Sequence, residues 1–311
     1  MLLEPECTPV IRPAHAPTRL APVLSMRSAL LEWYRPRRSA YPWRSDPPDP
    51  YRVLVSEVML QQTQAARVAP AFSAFVSQFP TVQSLAAASK AEVLRTWSGL
   101  GYNRRAVALH DAARLVMRDH DGTIPSDPEV LVRLPGIGPY TAAAVASIGF
   151  GLAVPALDTN ARRVVCRAVL GVEPSVVPNR IVEETARDWL DRADPATWNQ
   201  AVMDLGREAC RMTPRCDRCP LRHGCRFVGK RPVKQLARQP RFEGSTRQVR
   251  GAVMRAVLDR SPATIAQLGK VTGFAVDRIG AAVNGLCRDG LVSATRGALA
   301  GNPAGRVRLP E

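Results

Sequence analysis

The stretch LPGIGPYTAAAVASIGFG, residues 134–151, restricts the possible folds of this chain more than any other. Gly136 and Gly138 flank a single apolar residue and allow a tight turn with positive φ, and from Thr141 onward the residues favour a helix start. A second helical pattern, Pro128 to Arg133, precedes the turn. Backbone N–H groups at such a junction bind a phosphate without regard to base sequence. A bare Gly-x-Gly occurs at many loop-to-helix junctions. Set between Leu-Pro and an Ala-rich helix, it points to a hairpin between two helices that grips a nucleic-acid backbone.

The charge agrees with that reading. Lys and Arg number 43 against 27 Asp and Glu, a formal net charge of +16, which a polyanionic partner explains most simply. Membrane surfaces also attract basic proteins, but no stretch approaches the roughly 20 apolar residues that span a bilayer. The start of the chain lacks the basic-then-apolar pattern of a signal peptide. A cytoplasmic, nucleoid-associated protein with no membrane partner is expected.

An apolar content of 46% in 311 residues suffices for one sizeable core and a smaller module. Residues 1–22 hold five prolines and no apolar periodicity, so a disordered leader is expected. A helical pattern begins near Ser25 and is interrupted by the proline-rich YPWRSDPPDPY. Helical spacing then runs from Arg52 to Phe72 and recurs at Val82–Ala88, Lys90–Ser98, Ala106–Arg118, Pro128–Arg133 and Tyr140–Gly149. Alternating, strand-like runs are scarce before residue 250, so the body over residues 23–228 is expected to be mainly α. A basic, proline-containing linker covers 229–245. Beyond it, in 246–311, helices are predicted at Arg247–Leu258, Thr264–Val271 and Ala275–Cys287. The segments DGLVSATRG and GRVRLP then pair as a β-wing, which makes a small winged-helix-like α+β module.

Four of the seven cysteines, Cys210, Cys216, Cys219 and Cys225, crowd into one loop over 210–225. In a chain without export signals this clustering favours metal or cluster ligation over disulfides. Four thiolates can hold a 4Fe-4S cluster or a structural zinc. Cys7, Cys166 and Cys287 stand apart and are expected to be unliganded. Arg211, Arg215, Arg218 and Arg222 in the same loop are candidate phosphate contacts, or an ordinary solvated charged face.

Taken in order, YPWR, DPYRVLVSEVMLQQTQ, FPTVQSLAAAS, WSGLGYNRRA, the hairpin, LDTNARRVVCR, WNQAVMDLG and the four-cysteine loop resemble the helix-hairpin-helix DNA glycosylases of the endonuclease III superfamily, and within it the MutY family of adenine DNA glycosylases. The likeness covers about Ser25 to Arg226. It implies two helical lobes, double-stranded DNA with a mismatch or oxidised base as the partner, action as a monomer, and a 4Fe-4S cluster in preference to zinc. The first cysteine gap holds five residues, RMTPR, where the family has six, which puts the loop path in question more than the ligation.

Excising a purine requires a proton on the leaving base and negative charge beside the sugar cation, roles that two carboxylates in different environments can divide. Glu57 sits among Val53, Leu54, Val55, Val58, Met59 and Leu60, surroundings expected to raise its pKa and keep it protonated. Asp158 opens a helix, where its charge is expected to be stabilised. By themselves a helical Glu is usually solvated and an Asp before Thr-Asn-Ala is usually a cap; the resemblance assigns both to catalysis. It further implies that Tyr140 and Asn160 support Asp158, that Arg44 and Asp204 hold the flipped adenine, and that Gln62 wedges into the stack. Thr63, Leu100 and Tyr102 would line the opposite base, with a core role competing for Leu100 and Tyr102. The hairpin contacts to phosphate would come from Gly136, Gly138, Tyr140 and Thr141.

Endonuclease III enzymes carry a lysine two residues after the second hairpin glycine, and its amine forms a Schiff base and cuts the strand. Tyr140 occupies that position, so base release without strong strand cleavage is expected. The tail lacks the clustered glutamates of the NUDIX-like domain found in many MutY-like enzymes. Two alternatives stay open. One is a related glycosylase that removes thymine or uracil opposite guanine, against which QQTQ argues. The other is a non-catalytic DNA-binding regulator, against which Glu57 and Asp158 argue.

Overall fold

A computed structural model of the chain describes residues 20–38, 40–228 and 241–311. Most of the leader, residues 1–19 with Cys7, and residues 229–240 of the linker lie outside the described residues. The structure is mainly helical, as the periodicity predicts, and divides into two units. Among the described residues no helix is long and apolar enough to cross a membrane.

The first unit joins the chain up to Arg38 with residues 153–234. Its helix α1 (Leu20–Tyr34) begins earlier than the sequence pattern suggests, so residues 20–22 belong to a helix and not to the leader. It packs with α9 (Thr159–Val165), α10 (Asn179–Trp189) and α11 (Pro195–Glu208) around a core that includes Leu30, Val165, Val202 and Leu205, all fully buried. Trp189 and Trp198 meet edge to face with centroids 5.5 Å apart, a geometry worth about 0.5–1.5 kcal/mol beyond the area buried. Each helix start has a local cause. Asp194 accepts from Thr197 N at 3.2 Å ahead of Pro195, and Asp158 accepts from Ala161 N at 2.6 Å.

The second unit joins residues 39–152 with the chain beyond 235. At its centre is α2 (Pro50–Leu60), capped by Asp49, which accepts from Tyr51 N at 2.9 Å. Every residue of α2 from Val53 to Met59 is buried, because α3 (Ala65–Gln78), α6 (Arg104–Asp119) and α8 (Pro139–Ala144) pack around it. Helices α4 (Val82–Ala87) and α5 (Lys90–Thr96), both opened by capping boxes, pack on α6. The helical spacing from Arg52 to Phe72 does not form one helix. It breaks at Gln61–Gln64, where Gln62 takes φ of 56° and the chain turns into α3. Periodicity missed the break because both sides carry apolar residues at the same spacing.

The hairpin lies between α7 (Pro128–Leu131) and α8, and α8 runs on into one turn of π-helix, Val145–Gly149. In the C-terminal part of the unit, α12 (Thr246–Asp259), α13 (Ile265–Thr272) and α14 (Val276–Arg288) pack together. The two predicted wing segments pair antiparallel, Ser293 with Arg308 and Ala294 with Val307. A third strand, Ala263–Thr264, joins the other edge of residues 306–308. Two residues are too short for an alternating pattern, so this strand could not be read from sequence.

Gly206 lets α11 lie directly against α9: a Cβ there would meet Asn160 Cβ at 2.7 Å and Asn160 O at 2.8 Å. The obstruction is largely backbone, which cannot rotate away. Gly206→Ala is therefore expected to lower stability by about 1–3 kcal/mol, as overpacking does, read as a shift in the urea midpoint at unchanged slope. An unshifted midpoint would show that the two helices can separate without cost.

Candidate active site and DNA-contact loops

Asp158 caps α9 in the first unit. Besides Ala161 N, its carboxylate accepts from Asn160 Nδ2 at 3.1 Å, so the expected Asp158–Asn160 pair is formed. The expectation for its charge needs correction. Burial raises its pKa above the ordinary aspartate range, and the hydrogen bonds from Ala161 and Asn160 only partly offset that rise. A helix start can stabilise a carboxylate, but here desolvation is the larger effect.

A residue that sequence reasoning passed over organises this corner. Arg163, 7% exposed, donates from Nη2 to Asn160 Oδ1 at 2.8 Å and to Gly206 O at 2.8 Å, and from Nε to Cys210 O at 2.6 Å. Asp158, Asn160, Arg163 and the backbone of Cys210 thus form one hydrogen-bonded chain. One turn later Arg167, 1% exposed, pairs with Glu173 at 2.7 Å, donates to the carbonyls of Arg211 and Met212, and lies over the Phe227 ring. Both arginines lie within LDTNARRVVCR, but nothing in the sequence distinguishes them from surface cations. Asp204 is buried on α11 with Arg207 Nη2 at 3.2 Å.

Cys210, Cys216, Cys219 and Cys225 line one small cavity together with Arg167 and Phe227. All four are free thiols. Burial pushes the Cys219 thiol up to about 12 and raises Cys210 and Cys225. Among the described residues no group of three or more His, Cys, Asp or Glu is arranged to hold a metal ion. Arg211, Arg215, Arg218 and Arg222 are all exposed. Cys166 is fully buried in the core, and Cys287 is partly buried and free.

In the second unit, Glu57 is 7% exposed within the apolar α2. Arg44 lies over the Tyr41 ring at 5.2 Å, and that ring stacks on Trp43. Gln62 and Tyr102 share an uncommon backbone state. Both are non-glycine residues at positive φ, 56° and 48°, and both are exposed, Tyr102 at 52%. Such conformations cost about 1–3 kcal/mol each and persist where the surroundings enforce them. Leu100 is 3% exposed, packed as a core residue is.

Around the hairpin, Gly136 has φ of 76° and a Cβ there would strike Ala108 Cβ at 2.7 Å, so glycine is required on both counts. Gly138 differs from the expectation. It is extended, with φ of −88° and ψ of 173°, and caps α8 with open space where a Cβ would stand. Its lack of a side chain leaves room for an approaching backbone and serves no left-handed turn. Tyr140 is half-buried. Thr141 is 2% exposed and its Oγ1 accepts from Gln61 Nε2 at 3.4 Å. Gln61 Nε2 also donates to Gly136 O at 3.3 Å and ties the end of α2 to the hairpin.

Comparison with known proteins agrees with these elements. Residues 55–190 match the family described as HhH-GPD superfamily base excision DNA repair protein. An adenine DNA glycosylase of Mycolicibacterium smegmatis is 42% identical over 279 residues, which cover 88% of this chain and 95% of the relative. The adenine DNA glycosylase of Homo sapiens is 39% identical over 73% of this chain and 43% of its own length. Among solved structures, a thermostable thymine-DNA glycosylase superposes with a TM-score of 0.62 at 27% identity, covering 66% of this chain and 96% of that one. A trapped endonuclease III–DNA covalent intermediate gives a TM-score of 0.56 at 24% identity, over 66% of this chain and 96% of that one, a likeness of fold. With the hairpin, the buried Glu57 and 42% identity over most of both chains to the Mycolicibacterium protein in agreement, this chain belongs to the adenine DNA glycosylases of the HhH-GPD superfamily of base excision DNA repair proteins.

Proposed function

We propose that this chain is a monofunctional glycosylase that flips adenine out of duplex DNA, opposite 8-oxoguanine or guanine, and hydrolyses its bond to deoxyribose. One observation carries the reading: a carboxyl, Glu57, is buried in the middle of an otherwise apolar helix that ends on the exposed, left-handed Gln62. Burying an acid costs folding stability, and buried acids of this kind are found disproportionately at functional sites.

In the proposed reaction Glu57 gives its proton to a ring nitrogen of the purine as the bond from C1′ to the base breaks. The electron pair of that bond leaves with the base. The cation left on the sugar is held by the Asp158 carboxylate, oriented by Asn160, until water adds at C1′ and gives up its proton, which restores the acid form of Glu57. Tyr140 stands near the start of α8 as a support for Asp158 and the sugar. It has no amine for a Schiff base, so an intact abasic strand is the product. Arg44 and Asp204 serve the extruded adenine. Gln62 fills the space it vacates, offsetting part of the few kcal/mol lost on unstacking. Thr63 and Tyr102 meet the opposite base, and Leu100 supports them from the core. Gly136, Gly138 and the backbone of Tyr140 and Thr141 grip the phosphates, with the exposed arginines of the cysteine loop as further contacts.

The four cysteines are assigned to a 4Fe-4S cluster. Four thiols lining one cavity match the donor set of such a cluster, with a structural zinc as the alternative. When bound, the cluster braces the basic loop; no redox step is assigned to it. In the same reading the glycosylase body spans 23–228, the linker 229–245 and the winged-helix-like module 246–311, and the protein acts as a monomer.

Three outcomes test the proposal. With labelled duplexes carrying A·8-oxoG, A·G, T·G or U·G, alkali-dependent cleavage is expected only for the adenine pairs, and Glu57→Gln is expected to slow it by about 10²- to 10⁴-fold, the usual contribution of a general acid. Product from T·G or U·G alone would sink the adenine claim, and binding with no base release would favour a regulator.

The second outcome concerns pH. Asp158 must be ionised to hold the cation, and its pKa lies above that of a free aspartate. Single-turnover rates are therefore expected to fall on acidification through a pH above the ordinary value of about 3.9, and Asp158→Asn is expected to abolish the limb with most of the activity. A rate that stays flat down to the ordinary aspartate range would show that Asp158 is not the group titrating. Third, freshly purified protein is expected to be brown, with broad visible absorption and about four irons per chain. Colourless protein with stoichiometric zinc would refute the cluster.

A further inference from the structure

Arg105, in the first turn of α6, holds together two loops that are 40 residues apart in sequence. From Nη1 it donates to Val58 O at 3.0 Å, to Met59 O at 2.7 Å and to Gln61 O; from Nη2 to Thr63 Oγ1 and Gly101 O, both at 3.1 Å; and from Nε to Tyr102 O at 3.4 Å. The donors of the guanidinium are thereby shared between the last turn of α2 and the two loops. Its plane also lies against the Trp97 and Tyr102 rings, 5.3 and 5.4 Å from their centroids.

Two of these acceptors have a particular significance. Gln61 O belongs to the peptide that leads into Gln62, and Gly101 O to the peptide that leads into Tyr102. Gln62 and Tyr102 are both exposed and both held at positive φ; among the described residues the other non-glycine residue in that state is Asp121, in the connection after α6. The orientation of the preceding peptide sets φ, so a cation gripping both carbonyls enforces both left-handed conformations at once. Trp97 Nε1 donates to Gly101 O at 3.2 Å, and Arg67 donates to Gly99 O, which further confines the second loop.

We propose that Arg105 is a positioning residue that couples the wedge residue Gln62 to the opposite-base residue Tyr102, so that the two loops read the base pair as one preformed element. The inference rests on the reading above that Gln62 and Tyr102 meet the DNA stack. The group stays charged while it does this, since burial brings its pKa down only to about 10. Lysine would keep the charge, but its three donors radiate from a single nitrogen and lack the fixed planar fork that grips both loops.

The test uses the full chain with Arg105→Lys, Gln62→Ala, Tyr102→Ala and the two double variants. It reads single-turnover rates on A·8-oxoG and A·G, together with amide hydrogen exchange. Arg105→Lys is expected to speed exchange at 61–64 and 99–103 together while leaving the hairpin at 134–142 protected. It is expected to change the ratio of the two rates by tenfold or more in the direction of Tyr102→Ala, and each double variant is expected to lose less than the product of its single losses. Exchange that rises in only one loop, or fully multiplicative losses, would overturn the coupling. So would equal slowing on both substrates at an unchanged ratio. If Gln62→Ala and Tyr102→Ala leave both rates untouched, the reading of these loops as DNA contacts fails, whatever Arg105 does.

Discussion

The structure depends on arginine turned inward against backbone carbonyls. Helix C-termini and tight loops leave carbonyl oxygens without helical partners, and burying such a group unpaired costs about 1–3 kcal/mol. Arg105 meets this need at the end of α2, Arg163 at the end of α11 and Arg167 in the cysteine loop, while Arg27 does the same for Leu190 O and Arg162 for Val177 O. One guanidinium presents five donors in a rigid plane, so it can close several gaps from one position. The positive charge of the chain therefore serves two purposes. Exposed arginines of the cysteine loop are available to phosphate, whereas these inward-facing ones are committed to the fold.

The same ties connect loops that the chemistry needs. The Asp158–Asn160–Arg163–Cys210 chain means that the cysteine loop and the carboxylate are not mechanically independent. Displacing Cys210 would move the donor that orients Asn160, and through it Asp158. Gly206 contributes on the other side by letting α11 reach Asn160 without an intervening side chain. In the second unit Gln61 binds the hairpin from the end of α2, and Arg105 binds the wedge loop to its neighbour. The ties to the hairpin and to the loop at 99–103 meet at the end of the buried helix that carries Glu57.

Burial also explains the behaviour of the ionisable groups. Asp158 has the cap geometry that normally favours a carboxylate, yet desolvation outweighs it and the pKa rises. Burial likewise raises three of the four clustered thiols above their ordinary range. A metal that binds them must displace protons, so loading and assembly of the loop are linked.

Much of this was legible in the sequence because it depends on local chemistry. Helices such as Val82–Ala87 and Arg104–Asp119 followed from apolar spacing, the hairpin from Gly136, and the wing from two short segments at the right separation. The cysteine loop could be found from spacing, and the Asp158–Asn160 pair only from the family resemblance. Whatever required knowing what lies on the other side of a residue was not legible. The break at Gln62, the extended backbone of Gly138, the burial of Leu100 and Thr141, and the net effect on Asp158 all depend on neighbours distant in sequence. Arg105, Arg163 and Arg167 show the limit most clearly. In sequence they are three more cations in a basic chain, and only the packing of α2, α9 and α11 decides that their charges point inward, because a carbonyl buried by tertiary contact must find a donor that local sequence does not supply.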